Sequence, residues 1–300
     1  MDADSDSSVG TRYLGVALGI TISFFIIELV GGIFTNSLAL LTDAWHMLND
    51  VLALVFALVA LWIASRPVTV KKTYGYYRAE ILAAFLNGIF LWAVVVLIFY
   101  EGLQRIQRPV EVNSLGMLVI AVFGLMANGL SVAVLSRSRH ESLNVKGAFL
   151  HVVADTLGSV GVISAGLIMF FTGWYLADPL ISMMIGVLIF YSSGRLVRDS
   201  LNVLLEGVPF HIDLEKVEKK IAGFEGVKNV HDLHVWCITP NRMCCMSGHV
   251  VVKRGTDRRE LITNLMNMLK DEFGIDHTTI QLEEEDYPKA TGEHKEIGLA

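Results

Sequence analysis

Six stretches of this chain are apolar over a bilayer's thickness, at about residues 12–33, 38–63, 79–101, 113–135, 144–172 and 176–197. A helix needs about 20 apolar residues to cross the hydrocarbon core. Lipid offers no partners to open backbone groups, so each stretch is confined to helix. With 53% hydrophobic residues and a mean hydropathy of +0.52, the chain is too apolar for an ordinary soluble domain. The pattern changes after Glu206-Gly207-Val208-Pro209, and the remainder reads as water-exposed. The expected organisation is an N-terminal tail (1–11), a six-span membrane domain (12–207), a soluble domain (208–287) and a disordered tail (288–300).

Lysine and arginine sort between the loops. Arg12, then Arg66, Lys71, Lys72 and Arg78, then Arg137, Arg139 and Lys146, then Arg195 and Arg198 fall on one side; Arg105 and Arg108 fall on the other. The positive-inside rule places both termini in the cytoplasm, and an even number of spans agrees with both ends lying on one side. The first residues lack the basic region and cleavage site of a signal peptide, so the first span is expected to be retained. The net charge of -6 carries no basic block, which argues against nucleic acid as a partner.

The spans hold polar groups. Gly15 and Gly19 form a GxxxG pair, and Gly158, Ser159, Gly161 and Ala165 give the fifth span a small-residue face for close packing. Asn128 and Asp178 read as capping or interhelical hydrogen-bonding groups; Glu28 is read as either packed or facing a water-filled cavity. Two matched tetrads stand apart. His46 and Asp50 lie in LLTDAWHMLNDVLALVFALVALWI, and His151 and Asp155 lie in GAFLHVVADTLGSVGVISAGLIMFF. Spacing of four puts each pair on one helical face. Ionisable groups inside spans are costly and mark functional sites. Two imidazoles and two carboxylates make a tetrahedral set suited to Zn²⁺, with Co²⁺ and Cd²⁺ also accommodated. Asp43 shares nearly the same face as His46, where it would orient that imidazole or lie on the route by which metal reaches it. Ligation requires neutral His and ionised Asp, so metal binding releases protons, which points to metal/proton antiport by alternating access.

In the soluble part, residues 213–224 and 257–273 read as helices, and 227–238, about 243–252 and 277–284 as strands. The order αββαβ implies a small α+β domain with helices on one face of a three-stranded sheet. Cys237, Cys244 and Cys245 form no disulfide framework; they are expected to be small packing residues with one exposed thiol. His231 and His234 are three apart in a strand, so they are expected on opposite faces. His231, His249, His277 and Glu283 form a candidate second metal site contributed by different strands.

These residues resemble the cation diffusion facilitator (ZnT-type) family, most closely its bacterial zinc, cobalt and cadmium efflux branch. The likeness is carried by SLALLTDAWHMLNDVLAL, YGYYRAEILAAFLN, LNVKGAFLHVVADTLGSVGVI, SLNVLLEGVP, HDLHVW and HTTIQLE. It implies a homodimer of six-span protomers exporting divalent metal against protons, with His46, Asp50, His151 and Asp155 as the transport site. It implies a metallochaperone-like cytoplasmic domain that dimerises and senses metal. It places Arg78 and Glu206 where charged residues link the membrane and cytoplasmic domains. The loop RPVTVKKTYGYYR has no His or Asp, so the second site that some relatives carry there is expected to be absent.

An intramembrane metalloenzyme would need an open coordination position and a general base; no His-Glu-x-x-His is present, and the chain is not read as an enzyme. The alternative kept is a membrane zinc sensor that binds without translocating. A prokaryotic cell (inner) membrane is the expected location.

Overall fold

A computed structural model describes residues 19, 22–136, 143–239 and 243–284, with side chains in these except 131–136, 143–155 and 157. The helices are α1 (Ile22–Thr35), α2 (Leu38–Ala64), α3 (Arg78–Gln107), α4 (Ser114–Ser136), α5 (Leu143–Thr172) and α6 (Ala177–Leu204). Then come α7 (Leu214–Ala222), β1 (Val227–Thr239), β2 (Met243–Val252), α8 (Arg258–Phe273) and β3 (His277–Glu284). The GxxxG residue Gly15 and both expected tails lie outside the described residues.

Among the described residues, α2, α3 and α6 are each long and apolar enough to cross a membrane. The chain is an integral membrane protein of apolar helices followed by a small α+β domain. Two helices outrun their apolar stretches: α3 continues to Gln107 and α6 to Leu204. Hydropathy ends where charge begins, at Glu101 and Arg195, whereas a helix bonds its own backbone and can extend into water.

The chain divides into two compact units, Met1–Phe56 with Leu86–Arg195, and Ala57–Phe85 with Leu196–Ala300. In the first, Ala39 and Leu40 of α2, Leu91 and Val95 of α3, Met117 and Ala121 of α4, Val162 and Ala165 of α5 and Ile185 of α6 share one core. Polar side chains join the helices at set points. Asp178, 0% exposed at the start of α6, accepts from Ser37 Oγ at 2.7 Å and from the amides of Leu38 and Ala39 at 2.7 and 3.0 Å. It caps the N-terminus of α2, where unpaired N–H groups and the helix dipole favour an anion. Arg105 stands 3.5 Å away and also donates to the Asn36 carbonyl at 2.6 Å. Asn128 of α4 donates to Ser159 Oγ of α5 at 3.2 Å. Glu28 is buried and packed, its carboxylate so close to Gly124 of α4 that a Cβ there would stand 2.6 Å from Oε1.

In the second unit, β1 and β2 pair antiparallel, and β3 joins β2 in parallel, its crossover made by α8. Val217 and Ile221 of α7, with Leu261, Leu265 and Leu269 of α8, are one turn apart within each helix. They bury that stripe against Val230, Leu233, Val235, Met246 and Val250 of the sheet. Asp213 caps α7 and Asp257 caps α8; Gly274, at φ 66°, ends α8.

The cysteines require a correction. Cys237 and Cys244 stand opposite each other in the β1–β2 register and form a disulfide inside the core. The remaining thiol, Cys245, is buried rather than exposed. Cys244 and Cys245 do alternate faces, but the antiparallel pairing of β1 with β2 brings positions 237 and 244 into register, which spacing alone does not reveal.

Candidate metal centres

On α2, His46 and Asp50 sit one turn apart and half-buried. Asp43, one turn nearer the helix start, is buried. Ser159 Oγ of α5 donates to Asp43 Oδ2 at 3.5 Å, and Gly158 leaves the space beside it, a Cβ there being 3.4 Å from Oδ1. Asp43 thus marks where α2 meets α5. His151 and Asp155 occupy α5 one turn apart, N-terminal to that contact; their side chains lie outside the described residues.

The cluster in the α+β domain is fully described. His231 of β1 and His249 of β2 are direct partners across the antiparallel pair. Their rings lie 5.1 Å apart, tilted by 33°. Glu283 of β3 reaches both, Oε2 lying 3.2 Å from His231 Nε2 and Oε1 lying 2.5 Å from His249 Nδ1. One nitrogen from each imidazole and one carboxylate oxygen all fall within 4.8 Å of one another, a spacing that a single metal ion can bridge. Burial pushes the Glu283 carboxyl up, but hydrogen bonds from His249 and His231, with their charge, leave it below the usual glutamate value. Gln281 Nε2 also donates to Glu283 Oε1 at 2.9 Å.

His277 is not part of this cluster. It opens β3 opposite Cys245, six residues from Glu283, a strand distance of about 20 Å at roughly 3.3 Å per residue. Its ring instead meets Tyr74 edge-on at 6.1 Å. His231 and His234 also depart from expectation, because both are exposed on the outer face while Val230 and Leu233 are both buried. The register shifts between His231 and His234, and Asp232 there adopts φ 51°. This β-bulge inserts one residue and resets the alternation of faces. Asp232 Oδ1 lies 3.0 Å from His234 Nε2, and Oδ2 lies 3.8 Å from His249 Nε2. Asp232 was invisible to a period-two reading; the one local signal is that Asp tolerates the left-handed region better than most residues.

Arg78 Nη2 donates to Glu206 Oε1 at 2.8 Å, with both side chains well exposed.

Comparison with known proteins places the chain among relatives. A family of cation efflux transmembrane domains matches residues 14–205, and a family of cation efflux protein cytoplasmic domains matches residues 209–285. The chain is 47% identical over 273 residues to the metal cation efflux system protein CzcD of Cupriavidus metallidurans, covering 91% of this chain and 86% of that protein. It is 42% identical over 274 residues to the zinc transporter ZitB of Escherichia coli, covering 91% and 87%. It is 40% identical over 294 residues to the cadmium, cobalt and zinc/H(+)-K(+) antiporter of Bacillus subtilis, covering 95% and 93%.

Proposed function

The chain belongs to the cation efflux family, a family of transporters rather than enzymes, and on that footing we propose that it exports Zn²⁺ from the cytoplasm in exchange for protons. The transport site is His46 and Asp50 of α2 with His151 and Asp155 of α5. Both termini are cytoplasmic, residues 12–207 span the membrane, residues 208–287 form the cytoplasmic domain, and two copies make a homodimer.

The contact of Asp43 with Gly158 and Ser159 carries the site assignment. As second and fifth spans of a chain that winds back and forth, α2 and α5 run in opposite directions. Stepping from Asp43 to His46 and Asp50 along α2 therefore corresponds to stepping back from Ser159 to Asp155 and His151 along α5. The two tetrads then lie at matching depth along their helices, one to two turns from a buried contact. Two neutral imidazoles and two carboxylates would hold Zn²⁺ with a closed tetrahedral shell. Proton competition for the same atoms supplies the coupling: an acidic exterior protonates the ligands and expels the metal, and the protonated empty site returns inward.

The test is zinc flux into proteoliposomes under an imposed pH gradient, wild type beside Asp155→Ala. Gradient-dependent flux that is lost in Asp155→Ala is the expected result. Normal flux in the variant would sink the shared site. Absent flux in a wild type that still binds zinc would favour a sensor built on His231, His249 and Glu283.

A further inference from the structure

The loop between α2 and α3 takes no part in either metal centre. It is nonetheless folded: Thr69 and Lys72 pair through both backbone bonds, at 3.3 and 3.0 Å, and Lys72 O accepts from Gly75 N at 2.9 Å. Gly75, at φ 73°, supplies the left-handed turn that this closure needs. The result is a knuckle with an unusual surface. Val70 at its tip is 98% exposed and Val68 is 63% exposed. Lys71 and Lys72 follow directly after Val70, both exposed.

Charge at the knuckle is one-sided. No Asp or Glu occurs between Asp50 and Glu80. Among the described residues, no carboxylate pairs with Arg66, Lys71 or Lys72, whereas Lys216, Lys219 and Lys220 of α7 each have an acidic partner. The helix end beside it has the form of a bilayer boundary. Trp62, in the last turn of α2, is 63% exposed, and the Arg66 guanidinium lies over its ring at 4.2 Å. Exposed Trp at the end of a span is an interfacial anchor. Lys71 and Lys72 come within eight residues of that end.

We propose that this knuckle binds the headgroups of anionic phospholipids at the C-terminal end of α2, with Arg66, Lys71 and Lys72 as the cations and Val70 dipping among the lipids. A loop built only for water has no use for bare valines between Arg66 and Lys71. A loop at a charged bilayer surface uses both, the cations for the headgroup phosphates and the apolar tip for the acyl boundary. The inference rests on α2 crossing the membrane and not on transport, so it stands or falls separately from the antiport reading. Each basic side chain near an anionic surface contributes about fivefold to binding, and the three together on the order of a hundredfold.

The experiment is native mass spectrometry of the full-length protein released from detergent micelles doped equally with phosphatidylglycerol and phosphatidylcholine. Wild type is expected to retain phosphatidylglycerol over phosphatidylcholine by at least about tenfold, less so as salt rises. Arg66→Gln/Lys71→Gln/Lys72→Gln should lose most of that preference. Val70→Asn, which keeps every charge, should weaken retention several-fold, and serves if the triple variant fails to fold. Lys216→Gln/Lys219→Gln/Lys220→Gln removes equal charge elsewhere and should retain lipid as wild type does. Equal retention of the two lipids by wild type, or unchanged preference in the loop variants, would overturn the proposal. So would equal loss in the α7 control. Loss of dimer with lipid retention unchanged would overturn it too, assigning the knuckle to a second copy of the chain.

Discussion

The Glu283 carboxylate accepts from both His231 and His249, so its charge is favoured in the folded domain over the unfolded chain. Its folded value lies below the ordinary 4.5. The stabilisation from this group is therefore complete above that ordinary value and is lost as pH falls through the depressed folded one. Glu283→Gln should flatten this acid limb in thermal unfolding of the detergent-solubilised protein followed against pH. If the cluster holds zinc, the same substitution in an Asp155→Ala background should lower affinity by more than the roughly 10- to 100-fold typical of losing a ligand's supporting partner. Calorimetric titration with Zn²⁺ reads this directly. Sequence reading reached His231, His249 and Glu283 because strands from one sheet put chemistry-bearing side chains together. It misjudged His277 and His234. Convergence depends on position along the strand and on the bulge at Asp232, and neither leaves a trace in residue type.

At the scale of elements, the start of α2 is held from α6. Asp178 receives three hydrogen bonds there and faces Arg105, with almost no water at either side chain. Asp178→Asn keeps the shape but removes one of the two carboxylates beside Arg105, Glu101 remaining at 3.0 Å, and turns one acceptor at the start of α2 into a donor; the expected cost is about 1–3 kcal/mol, read as a lower unfolding temperature. The hairpin of β1 and β2 has a different tie. Its disulfide closes a loop with a separation of seven residues, worth roughly 2–3 kcal/mol by loop entropy. Reductant should therefore lower the unfolding transition of the cytoplasmic domain, and Cys237→Ser/Cys244→Ser should abolish the response. The αββαβ order was legible because amphipathic period and turn residues are local. That Asp178 would cap a helix 140 residues earlier was not, since an acidic residue at a helix start equally caps its own helix.

For the molecule as a whole, the ends of α2 and α3, with the loop joining them, cluster with residues 196–300 as one compact unit. Arg78 and Glu206 join two parts of that unit at 2.8 Å. An exposed pair of this kind contributes about 0–1 kcal/mol, so neutralising either partner should barely move the unfolding temperature. If the pair serves as a hinge, Arg78→Glu or Glu206→Arg alone should slow zinc flux in proteoliposomes, and the double swap should restore it. Equal impairment of single and double variants would remove the hinge role. The amino-acid sequence by itself determined the apolar helices and their order, the soluble α+β domain after them, and the two His–Asp tetrads at helical spacing. These follow from hydropathy and periodicity, which act over one or two turns. Only the tertiary structure decided the cap on α2, the disulfide, the bulge that turns His234 outward, the exclusion of His277 and the exposed knuckle after α2. Each of those depends on register between segments distant in the chain, or on what is left uncovered once they pack, and local pattern encodes neither.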